Sequence, residues 1–303
     1  MNNKPTLNIV LSALNEEANI GYLIDDLSKQ TAKSYELKHI IICSDGSIDE
    51  TNEVVKSKNN ENVVLLDHKD TIGHPERQNE MLRMSETDVV IILNADIQID
   101  DPEFVEKLAK PVINGEADLI SCIMYEKEPV TFFEKVVYNS MEVKREIFDD
   151  INGGINVYTC HGPCRALSQR FYKTLEFTAG SGEDAYSYFS CIKNGFKYKY
   201  VTDTYIKYRL SNNFSDYKKQ NMRFVKSKDL REEEFGKEFI KEQFGIPLDK
   251  AALAIVKNVV KHPVLSFCYV IVYSAGLLSY KLGKTPSSWE LAKSSKLVRN
   301  NRE

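Results

Sequence analysis

The chain has 303 residues, with 40 Lys and Arg against 44 Asp and Glu and a formal net charge of -4. Hydrophobic residues at 42% and charged residues at 28% exclude a disordered chain, and 14 Gly with 9 Pro exclude collagen-like and Pro-rich compositions. Near-balanced charge argues against a protein that coats nucleic acid.

The length predicts one large domain with an appendage, or two domains. Six cysteines at irregular spacing (Cys43, Cys122, Cys160, Cys164, Cys191, Cys268) do not make a disulfide framework and suit a reducing compartment. Cys160, His161 and Cys164 lack a second ligand pair, so buried thiols are expected there and not a zinc site. The N-terminus runs from Met-Asn-Asn-Lys straight into a strand pattern, so no signal peptide is expected.

The first element, Leu7 to Leu14, is a nearly unbroken apolar run, the pattern of a strand buried on both faces of a parallel sheet. Asn15 is placed to cap the helix that follows, with Glu16 and Glu17 at its positive end and Ile20, Leu23, Ile24 and Leu27 on one face. The alternation then repeats. Strands are predicted at 39–44, 63–68, 88–95 and 117–124, and helices at 49–58, 75–85 and 101–113. Such alternation means β-α-β units and a doubly wound, mostly parallel sheet. Ligands bind at the carboxyl ends of such strands.

Beyond residue 125 the pattern loosens. Helices are predicted at 132–148, 183–194, 215–229 and 232–244, a Gly/Asn-rich loop at 149–156, and short strands near 197–201 and 205–210. Residues 251–261 are apolar with Lys257 and Lys261. Residues 263–280 carry no charge, close to the length a bilayer demands, though Ser266, Tyr269, Tyr273, Ser274 and Ser279 dilute them. A transmembrane helix, a membrane-surface hairpin and a buried helix all stay open; the length favours membrane contact.

Chemistry is expected after the strands. Cys43-Ser44-Asp45-Gly46-Ser47 makes a tight turn with a carboxylate able to accept a base imide or ribose hydroxyls. Asp49 can cap the next helix. Asn94-Ala95-Asp96-Ile97-Gln98 offers oxygen ligands on a short spacing, suited to a hard divalent cation holding a diphosphate, while Asp100 or Asp101 caps the next helix. Gly182-Glu183-Asp184 follows Ala179-Gly180-Ser181; an acid there is a common cap, and a carboxylate facing a nucleotide pocket could be a general base. Gln220 and Arg223 share a helix face, where Arg223 could hold a phosphate or simply be solvated.

Taken in order, these segments resemble family 2 glycosyltransferases of the GT-A fold, over roughly residues 6 to 225. NIVLSALNEE is similar to that family's nucleotide-binding first strand and turn. CSDGSIDET resembles its DDGSxDxT turn, Gly73 through Asn79 its G-x5-N segment with Arg77 inside, and LNADIQ its DxD motif with Asn94 replacing the first Asp. HGPCRALSQRF resembles the acceptor-side loop. GED at 182–184 resembles the motif of the catalytic base, and QNMRF the Q-x-x-R-W motif with Phe224 replacing Trp.

The resemblance implies a domain at 1–225 and a C-terminal helical region at 226–303. It implies an inverting transfer from a nucleotide-diphosphate sugar, UDP favoured, assisted by Mg²⁺ or Mn²⁺. Asp184 would be the base, with Glu183 beside it. Ala13, Asn15, Glu16, Asp45, Arg77, Asn79, Asn94, Ala95, Asp96, Gln220 and Arg223 would line the donor. Gly162 and Arg165 would face the acceptor, and Asp96, Asn94 and Gln98 would hold the cation. A glycan or glycolipid hydroxyl is the preferred acceptor; NADIQ also resembles the DADxQ of polyprenyl-phosphate sugar synthases. The implied place is the cytoplasmic side of the cell membrane, or the cytoplasm. A nucleotidyltransferase fits poorly, because ALNEEAN is acidic and Gly-free where a triphosphate-gripping loop would stand. A non-catalytic binding member stays open through Asn94.

Overall fold

The computed structural model describes residues 4–178 and 182–281, with the backbone alone at 222–227, 280 and 281. Within these the chain forms two compact units, one of residues 4–125 and Cys160–Tyr208, the other of Glu126–Thr159 and residues 209–281. The division is not linear in sequence, and the boundary expected at 225 falls inside a continuous helix, Phe214–Phe235. Composition marks the apolar C-terminal segment but not its packing partner, the earlier helix Phe132–Phe148.

The first unit is a seven-stranded sheet. Its strands are β1 (Thr6–Ala13), β2 (Glu36–Asp45), β3 (Val63–His68), β4 (Val89–Asn94), β5 (Leu119–Glu126), β6 (Cys164–Ser168) and β7 (Tyr198–Tyr208), in the order β3-β2-β1-β4-β6-β5-β7. β1 runs parallel to β2 and β4, and β2 parallel to β3, as the apolar runs predict. Helices α1 (Ile20–Ser28), α2 (Thr51–Ser57), α3 (His74–Met84) and α4 (Phe104–Ile113) make the crossovers. On α1, Ile20, Leu23, Ile24 and Leu27 are buried against the sheet, each worth roughly 1.5–3 kcal/mol of apolar transfer.

Three local expectations are corrected. First, α1 starts at Ile20, not after Asn15. Asn15 takes a left-handed φ of 56°, and the Asn19 and Ile20 amides donate to the Glu16 carbonyl, so a turn intervenes before the helix. Second, residues 164–168 are a strand inside the sheet, antiparallel to β4 and β5, rather than a loop. Third, the two short strands predicted near 197–210 are the single β7. The N-cap positions of α2 and α4 are Glu50 and Glu103, not Asp49 or Asp101, but both aspartates hold the turns that lead into those helices. Asp49 Oδ1 accepts from the Thr51 amide at 3.0 Å, and Asp101 Oδ1 accepts from the Glu103 amide at 2.9 Å, just before α4.

Register sets the site. Ala13 lies opposite Ser44, Ser12 opposite Asn94, and Asp45 opposite His68, so the four parallel strands end level. The loops that follow them share one edge of the sheet.

The second unit is helical: α5 (Phe132–Phe148), α8 (Phe214–Phe235), α9 (Lys237–Gln243), α10 (Leu248–Lys261) and α11 (Pro263–Lys281); α6 (Gln169–Tyr172) and α7 (Glu183–Lys193) belong to the first unit. Thr131 and Glu134 form a capping box at the start of α5. Asn139 on α5, Asn258 on α10 and Ser266 on α11 form a polar knot, with Asn139 Nδ2 and Ser266 Oγ donating to Asn258 Oδ1 at 2.9 and 2.8 Å. Leu253, Val256 and Val260 of α10 and Phe267 and Val270 of α11 remain exposed. Among the described residues no helix is long and apolar enough to cross a membrane.

Candidate active site

The turn after β2 is built around Asp45. Gly46 has φ 77°, and a Cβ there would stand 2.7 Å from Thr71 Oγ1, so this turn requires glycine. Asp45 is 4% exposed. Its Oδ1 accepts from the Ile72 amide at 2.9 Å and from Arg77 Nε at 2.8 Å, and its Oδ2 accepts from the Gly73 amide at 3.0 Å. Arg77 is equally buried and also reaches Glu80 Oε2 at 3.1 Å and the Asp70 carbonyl at 2.9 Å. This pair fixes the 70–73 loop over the end of β2.

The other donor-side residues also carry internal work. The Asn15 amide donates to Ser47 Oγ at 3.1 Å, and Asn15 Oδ1 accepts from the Ile48 amide at 2.9 Å. The Glu16 amide donates to Thr51 Oγ1 at 2.8 Å. Together they tie the turn after β1 to the turn after β2. Asn79 is buried on α3 and grips the Phe177 backbone from both sides, donating to its carbonyl at 2.9 Å and accepting from its amide at 2.8 Å. That holds the strand of chain leading towards Gly182. Ala13 is buried at the end of β1 and Ala95 just past β4.

The end of β4 and the segment after it carry Asn94, Asp96 and Gln98, the residues expected to hold a cation. Asn94 Oδ1 and Gln98 Oε1 are both enclosed acceptors with no hydrogen-bond donor. They flank Asp96 at alternate positions. Gln98 is held by its backbone, which pairs with Lys207 in both directions, and its amide nitrogen donates to Asp100 Oδ1 at 2.6 Å. Two enclosed oxygens without donors, near a carboxylate in sequence, are oxygen types of the kind a hard divalent cation takes.

Asp184 opens α7, and the left-handed Gly182 (φ 93°) sets the helix start. The Asn94 amide donates to the Pro163 carbonyl at 3.1 Å, which lays residues 161–163 along the end of β4. Gly162 faces Asp184 there: a Cβ on Gly162 would lie 3.4 Å from Asp184 Oδ2. Burial pushes the Asp184 carboxyl above the ordinary carboxylate range; Arg165 opposes this and Glu183 adds to it. A carboxylate held this way is a stronger base than an exposed one.

Arg165, expected on an acceptor-side loop, is wholly buried on β6. Its Nη1 donates to the Glu183 carbonyl at 2.8 Å and to Ser187 Oγ at 2.7 Å, and its Nη2 to Gln78 Oε1 at 3.2 Å. It therefore positions the first turn of α7. Gln78 Nε2 donates to His74 Nε2 at 2.7 Å, and His74 Nδ1 is bonded to Ser12 Oγ on β1. Burial pushes His74 down to about 4, assisted by Arg165 and resisted by Asp96, Asp45 and Asp184. One neutral imidazole thus sits within the fields of Arg165, Asp96, Asp45 and Asp184. A glycosyl transferase family 2 model matches residues 8–176, more than half of the chain. The chain belongs to glycosyl transferase family 2.

Curated relatives include poly-beta-1,6-N-acetyl-D-glucosamine synthase of Staphylococcus aureus, 33% identical over 109 residues. The match takes in 33% of this chain and 26% of that protein, so this chain spans about a quarter of the relative's length. Among solved structures, a mannosyltransferase from Pyrobaculum calidifontis in complex with GDP-Man and Mn²⁺ aligns with TM-score 0.59 at 14% identity, over 93% of this chain and 83% of that one. Glucosyl-3-phosphoglycerate synthase from Mycobacterium tuberculosis aligns at TM-score 0.49 with 22% identity, over 65% and 70%. The GT-A fold expected for this family is the fold observed.

Within the family 2 domain, sequence inspection missed His74 and Gln78. Their signal was the i, i+4 spacing of two polar residues on a helix beside the G-x5-N segment. Of the remaining expected site residues, Gln220 lies on α8 in the helical unit, and the side chain of Arg223 lies outside the described residues, as do Ala179, Gly180 and Ser181. Cys160, His161 and Cys164 do not converge as a metal site among the described residues.

Proposed function

We propose that the protein is an inverting glycosyltransferase that moves a sugar from a nucleotide-diphosphate donor, UDP favoured, to a hydroxyl of a glycan or glycolipid. The observation that carries this is Asp184, a carboxyl raised by burial and packed on Gly162 beside the end of β4. In this reading the donor lies across the level ends of β1, β2 and β4. Asn94 Oδ1, Asp96 and Gln98 Oε1 would hold a divalent cation, which when bound neutralises the diphosphate that leaves. Asp184 takes the proton of the acceptor hydroxyl as its oxygen attacks the anomeric carbon from the opposite side. Gly162 leaves room beside Oδ2 for that hydroxyl. Arg165 keeps the α7 turn fixed so that the carboxylate does not have to be reoriented during the reaction.

The hydroxyl acceptor rests on the same carboxylate. A phosphate acceptor is already an anion and needs no base, so a built, raised Asp184 would have no task. A membrane-surface location is supported by the exposed apolar side chains of α10 and α11. Paired changes there, Val260→Asp with Phe267→Asp, are expected to release the protein from anionic lipid vesicles; a wild type that never sediments with vesicles removes the location.

The test is calorimetric titration of UDP and GDP into the full chain, with Mn²⁺ and with chelator, beside transfer assays of Asp184→Asn. The expected result is metal-dependent binding of one nucleotide, kept in Asp184→Asn, with transfer lost by about 10²–10⁴-fold. Absence of nucleotide binding by folded protein points to a non-catalytic family member, and unchanged transfer removes Asp184 from its role.

A further inference from the structure

A group of side chains with no part in that chemistry lies on the α3 side of the sheet edge. Cys43 on β2, His68 at the end of β3 and Glu80 on α3 each bring one ligand atom within 4.8 Å of the others. Cys43 is wholly buried, while the His68 and Glu80 side chains are 28% and 27% exposed, so the group opens to water on one side. We propose that Cys43 Sγ, His68 Nε2 and Glu80 Oε1 are the three protein ligands of a zinc ion, with water in the fourth position.

The plain alternative is a His–Glu ion pair next to a structural thiol. One feature weighs against it. His68 Nε2 lies 3.0 Å from Glu80 Oε1, yet it is enclosed and makes no directed hydrogen bond. An enclosed ring nitrogen facing a carboxylate oxygen without hydrogen-bond alignment is poorly served by a proton and well served by a metal between them. Cys43 Sγ donates to Glu80 Oε2 across 3.8 Å, a long contact that nevertheless sets the sulfur on the same side as the other two groups.

Charge permits a dication despite the nearby Arg77. Its Nη1 bonds to Glu80 Oε2 and leaves Oε1 to the metal. Arg77 also faces Asp45 at 2.8 Å and Asp70 at 3.7 Å, so one guanidinium stands against three carboxylates. The donor set decides the metal. One sulfur, one imidazole nitrogen and one carboxylate oxygen suit tetrahedral zinc, whereas the all-oxygen group around Asp96 suits a hard cation. Binding replaces the S–H bond of Cys43 by a sulfur–zinc bond, and the proton leaves to buffer. The ion would pin β2, β3 and α3 together, two residues from Asp45 and one turn from Arg77. None of this depends on the transferase reading.

The test titrates Co²⁺ and then Zn²⁺ into chelator-stripped full-length protein. One equivalent of Co²⁺ is expected to give the intense visible bands of four-coordinate cobalt and a thiolate charge-transfer band, both erased by one equivalent of Zn²⁺. Zinc calorimetry in two buffers should report one proton released per ion. Cys43→Ser is expected to lose the charge-transfer band and to weaken zinc binding beyond the roughly hundredfold cost of losing an outer-shell partner. His68→Asn, at a half-exposed position, is expected to weaken zinc binding comparably while keeping the thiolate band at saturating Co²⁺, and serves if Cys43→Ser does not fold. Asp96→Ala leaves both bands in place. A folded protein without a charge-transfer band, or one whose band survives Cys43→Ser, overturns the proposal.

Discussion

Gly162 lies against Asp184, with the position of a Cβ on Gly162 3.4 Å from the Oδ2 of that carboxylate. That separation is ordinary van der Waals contact, so a methyl group fits without moving backbone. It would nevertheless cover the oxygen and take the space of an approaching hydroxyl. Gly162→Ala is expected to fold, to bind nucleotide as the wild type does, and to lose transfer by roughly tenfold to a hundredfold. Its acidic limb should also move to higher pH, because the methyl removes further water from the carboxylate. A pH–rate profile of the variant checks both; equal loss of nucleotide binding would show a different defect.

The same carboxylate costs stability. Its pKa is raised in the folded protein. A raised group contributes stability that is present below the unfolded pKa and lost as pH rises through the folded one. At neutral pH the wild type therefore carries the penalty and Asp184→Asn does not. The variant is therefore expected to gain stability over the wild type at pH 7. The gain should shrink as pH falls into the ordinary carboxylate range. Urea melts at both pH values measure it.

His74 runs the other way. Burial holds it at about 4 against an ordinary 6.5, so its contribution is present above 6.5 and lost as pH falls towards 4. The wild type is expected to lose about 2 kcal/mol between pH 7 and pH 5 through this group alone. His74→Gln keeps a polar side chain but cannot titrate, and its melts should lack that slope. An identical slope in the variant would place the titration elsewhere.

Asn94 is the neutral member of the cation set. Asn94→Asp adds a charge and is expected to tighten Mn²⁺-dependent nucleotide binding by about tenfold, while binding in chelator stays unchanged. Tightening that persists in chelator would mean that residue 94 acts on the nucleotide without the ion.

The sheet's parallel half was legible because β1 and β4 are apolar runs that only a doubly covered strand explains, and β3 matched at both ends. β6 was not. CRALS is five residues long, carries an arginine and pairs with strands dozens of residues away, so neither length nor periodicity marks it. The site divides in the same way. Asp96 and Asp184 were picked out by position after a strand and before a helix. Asp45, Arg77, Asn79 and Arg165 were picked out as well, but their donors and acceptors are turned onto the protein's own loops. A motif shows which polar residues matter at a strand end; it does not show whether they face a ligand or hold the loop that does.

The insertion of β6 between β4 and β5 has a further effect during synthesis. β4 emerges with the apolar sequence VVIIL, and its outer edge finds a partner only when residues 164–168 arrive. In the interval the chain must make Glu126–Thr159, which belongs to the other unit. A nascent or truncated chain that stops short of residue 168 carries an open, hydrophobic strand edge, the template on which unrelated chains add strands. Fragments cut to look like a tidy nucleotide-binding half are therefore prone to aggregate, and soluble production depends on carrying translation through the helical detour and back into the sheet.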